Sequence, residues 1–115
     1  MKGYDIFSRA IVMLGHLEHR SDSEASKRLM PIATEVINQI AVDLKCCPIS
    51  ALSNMVDLPV YKQEAMIYGV AMMFSLIEGE TELNRFFTDI YNFKRSSALS
   101  ENISVKDNIP TVDMG

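Results

Sequence analysis

The stretch EAMIYGVAMMFSLIEGETE, Glu64–Glu82, decides the fold predicted for this sequence. Its residues from Ala65 to Ile77 carry no charge, and the acidic segment EGETE follows them directly. A helix that is apolar on every side must be covered on every side. Either the other helices of the chain surround it, or a neighbouring subunit covers the face that they leave open. The pattern alone allows both arrangements.

The length and composition indicate one folded domain. A chain of 115 residues is long enough for a hydrophobic core and short for two domains. Its 48% hydrophobic and 23% charged residues are typical of a folded protein. It has eight methionines and no tryptophan, and methionine suits either a helical core or an adaptable contact surface.

The charge disfavours a protein that reads DNA directly. The net charge is −4, from 15 acidic and 11 basic residues, whereas proteins that grip nucleic acid are usually basic. No basic run is longer than Lys94-Arg95. The same charge is compatible with a protein that surrounds DNA without gripping it.

Three features lead us to expect a soluble intracellular protein. Cys46 and Cys47 are adjacent, and neighbouring cysteines rarely form a disulfide, so a reducing compartment fits. No apolar segment of the kind found in signal peptides follows Met1-Lys2. The uncharged run Ala65–Ile77 is also shorter than the roughly 20 residues that a membrane span needs.

Apolar residues at helical spacing predict an all-α fold, a small four-helix bundle with a long kinked second helix. One face of the first helix is marked by Ile6, Phe7, Ala10, Ile11 and Leu14. We expect this helix to end at Gly15 and the second to run from about Ser23 to Leu44. Pro31 lies inside that second helix and predicts a kink, with two abutting helices as the alternative. The third helix is expected at Val60–Glu78, ended by Gly79. The fourth is marked by apolar residues on one side: Leu83, Phe86, Phe87, Ile90 and Tyr91.

The end of the sequence has no helical stripe. Ile103 and Val105 alternate with polar residues, as in a short strand, and Ile109 adds a further apolar anchor before Pro110. We therefore divide the chain into a helical bundle domain at 1–98 and an extended C-terminal tail at 99–115.

Candidate chemical motifs are weak. His16 and His19 have a spacing that could hold a metal, but they follow Gly15 in an expected loop without a third ligand. The acids of EGETE lack the regular ligand spacing of a calcium loop. We predict no catalytic residues, no metal site and no cofactor, and we do not expect an enzyme.

Several segments together resemble a known family. LPVYKQEAMIYGVAMMFSLIEGETELNRFFTDIYNFKR is similar to the third and fourth helices of small head-tail connector (adaptor) proteins of long-tailed bacteriophages and prophages. YDIFSRAIVMLG and RLMPIATEVINQIAVDL are similar to the first two helices of that family. The resemblance extends to about Ser97 and depends on the order and spacing of the four segments.

The resemblance implies an all-helical protein that assembles as a ring between the portal and the tail. Such a ring would contact portal and tail-completion proteins and line a channel through which DNA passes without sequence-specific binding. It would function in the virion, after assembly in the bacterial host cytoplasm, with no membrane involved. The alternative is a small helical regulatory module that binds a partner through a Met-rich face, as a monomer or dimer.

One set of residues is predicted to serve packing or an interface between copies. Gly69 is expected in a close helix–helix contact, because a glycine inside a helix costs roughly 1 kcal/mol relative to alanine. The predicted set is Tyr68, Gly69, Met72, Met73, Phe86, Ile103, Val105 and Ile109.

Overall fold

The computed structural model describes residues 1–18 and 22–107, with side chains at 1–15 and 26–100. It confirms an all-α fold with four helices. Within this part of the chain, β pairing is limited to one isolated antiparallel bridge between Lys2 and Met55. The helices are α1 (Gly3–Glu18), α2 (Asp22–Asp43), α3 (Val60–Ile77) and α4 (Thr81–Asp107).

The central position of α3 answers the question raised by its apolar sequence. This helix packs against α1, α2 and α4. Its middle is buried by them, and Phe74 meets Phe7 of α1 edge to face with ring centroids 5.9 Å apart. The ends of α3 are less covered, since Val60, Tyr61 and Leu76 are exposed. The chain thus covers the middle of α3 by itself.

Gly69 lies in a close contact with side chains of two other helices. A β-carbon at this position would be 2.8 Å from Ile40 Cγ2 of α2 and 2.8 Å from Tyr91 Cε1 of α4. Both distances are shorter than real β-carbons tolerate. Tyr91 is itself held in place, because its hydroxyl donates a hydrogen bond to Asp43 Oδ2. Glycine is therefore required here by space.

The pair Tyr91–Asp43 is completed by a cation. Arg95 Nε lies 2.8 Å from Asp43 Oδ2, so α4 presents both a hydroxyl and a guanidinium to one carboxylate of α2. Burial raises the pKa of Tyr91 well above its usual range, and the hydrogen bond to Asp43 raises it further. The phenol therefore stays protonated and continues to donate.

The connection between α2 and α3 is fixed by side chains of both helices. Asn38 Nδ2 donates to the Ile49 carbonyl at 2.7 Å, and Asn38 Oδ1 accepts from the Ile49 N–H at 2.8 Å. Buried Lys62 donates from Nζ to the Leu44 carbonyl at 2.7 Å, at the end of α2. These bonds satisfy backbone groups that lie outside regular helix.

Two sequence expectations about helix ends are corrected. α1 continues past Gly15 to Glu18, and α4 continues past the expected boundary at 98 to Asp107. No glycine or proline interrupts the sequence from Thr81 to Ile109, so each further residue can add a hydrogen bond to an existing helix.

Pro31 lies inside a single helix, and Gly79 follows the end of α3, as the sequence predicted. α2 is one continuous helix through Pro31, which excludes two abutting helices. Buried Leu29 and Ala33 on either side of the proline offset its cost of about 3 kcal/mol. Gly79 follows α3 with φ of 74°, a conformation that glycine adopts without a steric penalty.

Candidate interaction surface

The positions considered for metal or thiol chemistry do not form a site in the described part of the chain. Within it, no group of three His, Cys, Asp or Glu side chains is placed to hold a metal ion. His16 belongs to α1 and not to a loop, which corrects the expectation, and His19 lies outside the described residues. Burial raises the pKa of the Cys46 thiol, which disfavours the reactive thiolate.

Glu78, the first residue of the acidic segment EGETE that follows α3, has a structural role. Both carboxylate oxygens of Glu78 accept from Arg28 Nε at 3.1 Å, and Arg28 Nη2 donates to Glu78 Oε1 at 2.6 Å. This two-pronged pairing joins the first half of α2 to the end of α3. Because its geometry is bidentate, it is stronger and more specific than a simple surface ion pair.

The predicted interface residues separate into an inner and an outer group. Gly69 is buried, whereas Tyr68, Met72 and Met73 are half-buried and Phe86 is exposed. Phe87 brings two of the outer residues together, with ring centroids 6.2 Å from Tyr68 and 5.4 Å from Phe86. Three further predicted residues carry no side-chain description. Ile103 and Val105 lie inside α4, not in a strand as expected, and Ile109 lies outside the described residues.

A groove that the sequence did not reveal runs over Tyr68, with α1 and α4 as its walls and α3 as its floor. It consists of two adjoining depressions, of about 390 and 420 Å³, and Arg9, Glu64 and Ile67 line both. We call it the α1–α3–α4 groove. The first depression is completed by Ser8, Val12, Met13 and Tyr68, and the second by Val60, Tyr61, Gln63, Phe93, Lys94 and Ser97.

Large apolar side chains that line this groove face solvent. Val60 is 82% exposed, Phe93 70% and Val12 56%. Single exposed apolar residues are ordinary, but several that line one concave surface are typical of an interaction site. The sequence does hold a signal for one of them. Val12 falls outside the apolar stripe predicted for the first helix, where polar residues are expected.

An ion pair between Lys94 and Glu64 lies in the lining of the groove. Lys94 Nζ of α4 lies 2.5 Å from Glu64 Oε1 of α3, and it sits 5.8 Å from the centroid of the Tyr68 ring. The hydrogen bond to Glu64 raises the pKa of Lys94. Arg9 adds a second cation to the lining. The groove can therefore hold apolar side chains on its walls and an acidic group at its edge.

Searches of known proteins provide no independent assignment of this surface. No family model matches the chain, and neither a curated protein nor a solved structure matches it. None of the helices in the described residues is long and apolar enough to cross a membrane.

Proposed function

We propose that this chain is a structural phage protein, a head-tail connector that assembles as a ring between portal and tail. Its partners would be further copies of itself, the portal and the tail-completion proteins. DNA would pass through the ring without sequence-specific binding. The protein would assemble in the bacterial host cytoplasm and remain in the virion. The resemblance of the sequence to that family supports this proposal, and the four-helix fold agrees with what the resemblance implies.

The observation that carries the proposal is the α1–α3–α4 groove. A groove on one copy that binds a different surface of the next copy makes a heterologous contact, and repeated heterologous contacts produce a ring when the rotation closes. The exposed side chains of Val60 and Phe93 supply apolar area for such a contact. The net charge of −4 agrees with a conduit, because a strongly basic lumen would retain DNA.

A regulatory module that binds through a Met-rich face is less well supported. Met66 is fully buried in the core, and Met72 and Met73 are only half-exposed. Little methionine surface of α3 is therefore offered to a partner. The two proposals differ in stoichiometry, since a regulator would be a monomer or a two-fold dimer.

Replacing Phe93 by glutamate should weaken self-association without unfolding the chain. Phe93 contributes exposed apolar surface to the groove wall, so a charged side chain there must be desolvated when copies associate. We expect the dissociation constant of the oligomer to rise about tenfold or more, which corresponds to roughly 1.4 kcal/mol. Sedimentation velocity over a concentration series measures this change.

Val42→Glu is the matched control for this experiment. Val42 is 71% exposed on α2 and does not line the groove, so the same change in charge occurs away from the proposed contact. Circular dichroism should show both variants folded. Equal association of Phe93→Glu and the parent, or an equal loss in both variants, would show that the groove is not the contact between copies.

A further inference from the structure

The end of α4 lies far from the α1–α3–α4 groove. Ser97 is the last residue of α4 that lines the groove, and the helix then continues to Asp107. At 1.5 Å per residue, Asp107 lies about 15 Å beyond Ser97 along the helix axis. Residues 108–115 therefore start well outside the groove of their own chain.

The reach of residues 108–115 limits where their apolar side chains can bind. An extended chain spans at most about 3.3–3.6 Å per residue. Measured from Asp107, Ile109 can move back by about 7 Å and Val112 by about 17 Å. Ile109 therefore falls short of the groove of its own chain, and Val112 would reach only its near edge.

We infer that the α1–α3–α4 groove binds residues 108–115 of a second copy of this chain, an inference that rests on the proposed self-association. The dimensions agree. Val60 and Tyr68 mark the two depressions and lie about 12 Å apart along α3, at 1.5 Å per residue. In a polyproline II conformation, which has three residues per turn, Ile109 and Val112 would lie on the same side of the chain and about 9 Å apart. Each depression can thus take one of the two aliphatic side chains.

The chemistry of the segment also fits the groove. Its acidic residue Asp113 has the sign that complements Arg9 in the lining. Pro110 restricts the backbone and has no N–H to leave unpaired, so less conformational freedom is lost when the segment binds in extended form.

This contact would arrange the copies of the ring head to tail. The groove and the C-terminal segment are different surfaces of the same chain, so each copy would donate one and receive the other. The arrangement is heterologous when each segment enters the groove of the next copy in turn, and it then repeats until the ring closes, whereas reciprocal exchange between two copies would give a two-fold dimer.

Disulfide trapping between two differently tagged copies tests the inference. In full-length chains carrying Cys46→Ser and Cys47→Ser, one copy receives Phe93→Cys and the other Val112→Cys. We expect a mixed dimer on mild oxidation, formed at least tenfold faster than the dimer of Val42→Cys with Val112→Cys. A chain carrying both Phe93→Cys and Val112→Cys should give a ladder of linked multimers.

Two results would overturn the inference. A double-cysteine chain that links internally and remains a monomer would place the segment on its own chain. Disulfide formation no faster than in the Val42→Cys control would show that the segment does not bind in the groove.

Sedimentation velocity of a chain truncated after Asp107 tests this inference separately from the proposed function. Loss of the oligomers that the parent forms is the expected result. If this shortened chain and the parent form the same oligomers, the inference fails and the proposed self-association stands. If the parent itself never associates, both fail.

Discussion

Gly69→Leu is expected to destabilise the bundle by about 3 kcal/mol, at the upper end of the usual cost of overpacking a core. The β-carbon alone would come within 2.8 Å of both Ile40 and Tyr91. Ile40 is branched at its β-carbon and so is stiff, and Tyr91 is held by Asp43. Neither neighbour can move aside cheaply. The melting temperature should fall by roughly 10 °C or more.

Asp89→Leu provides the comparison for this variant. Asp89 is exposed on α4, so the same side chain is introduced into a helix without crowding a neighbour. Its melting temperature should stay near that of the parent. A Gly69→Leu protein that melts like the parent would show that the contact among α2, α3 and α4 is looser than described.

Asn38→Ala is expected to cost about 2 kcal/mol. The substitution removes both hydrogen bonds to the backbone of Ile49, whose N–H and carbonyl then lose their partner in a half-buried position. A buried polar group that loses its partner costs roughly 1–3 kcal/mol, and partial access of water reduces the sum of the two. Urea unfolding measures the free energy, and hydrogen exchange should show faster exchange at the Ile49 amide.

Gln39→Ala tests whether the effect of Asn38→Ala is specific. Gln39 is the next residue on α2, and its side chain is exposed. Surface substitutions of this kind usually change stability by less than about 0.5 kcal/mol. If Asn38→Ala unfolds at the same urea concentration as Gln39→Ala, the two bonds to Ile49 do not hold the connection in place.

The helices could be predicted from sequence because their apolar stripes are regular. Ile6, Phe7, Ala10, Ile11 and Leu14 in α1 are all buried, as their spacing indicated. Gly15 was misleading because a glycine ends a helix only where the chain needs the left-handed conformation. Gly79 has that conformation, with φ of 74°, whereas Gly15 lies inside α1.

The end of α4 could not be predicted because it depends on what precedes it. The segment around Ile103 and Val105 has no apolar stripe, and alternation favoured a strand. A helix that is already anchored at Phe87, Tyr91 and Ala98 can be extended without a new nucleus. The periodicity of the segment itself does not show that a stable helix precedes it and can be extended.

The groove could not be predicted because it depends on how three helices are arranged. Tyr68 was selected as an interface residue, and it does line the groove. Val60 and Phe93, which are far more exposed, were not selected, since their neighbours become apparent only after α3 and α4 have packed. For Val12, a position outside the stripe of an amphipathic helix was the available signal.

The proposed assembly of this chain into a closed ring can be tested by counting its copies. Native mass spectrometry of the full-length protein at high concentration, combined with electron microscopy of the same sample, gives the number of copies and their symmetry. We expect a single closed ring of more than two copies, related by rotation about one axis. A monomer or a two-fold dimer at every concentration would contradict it.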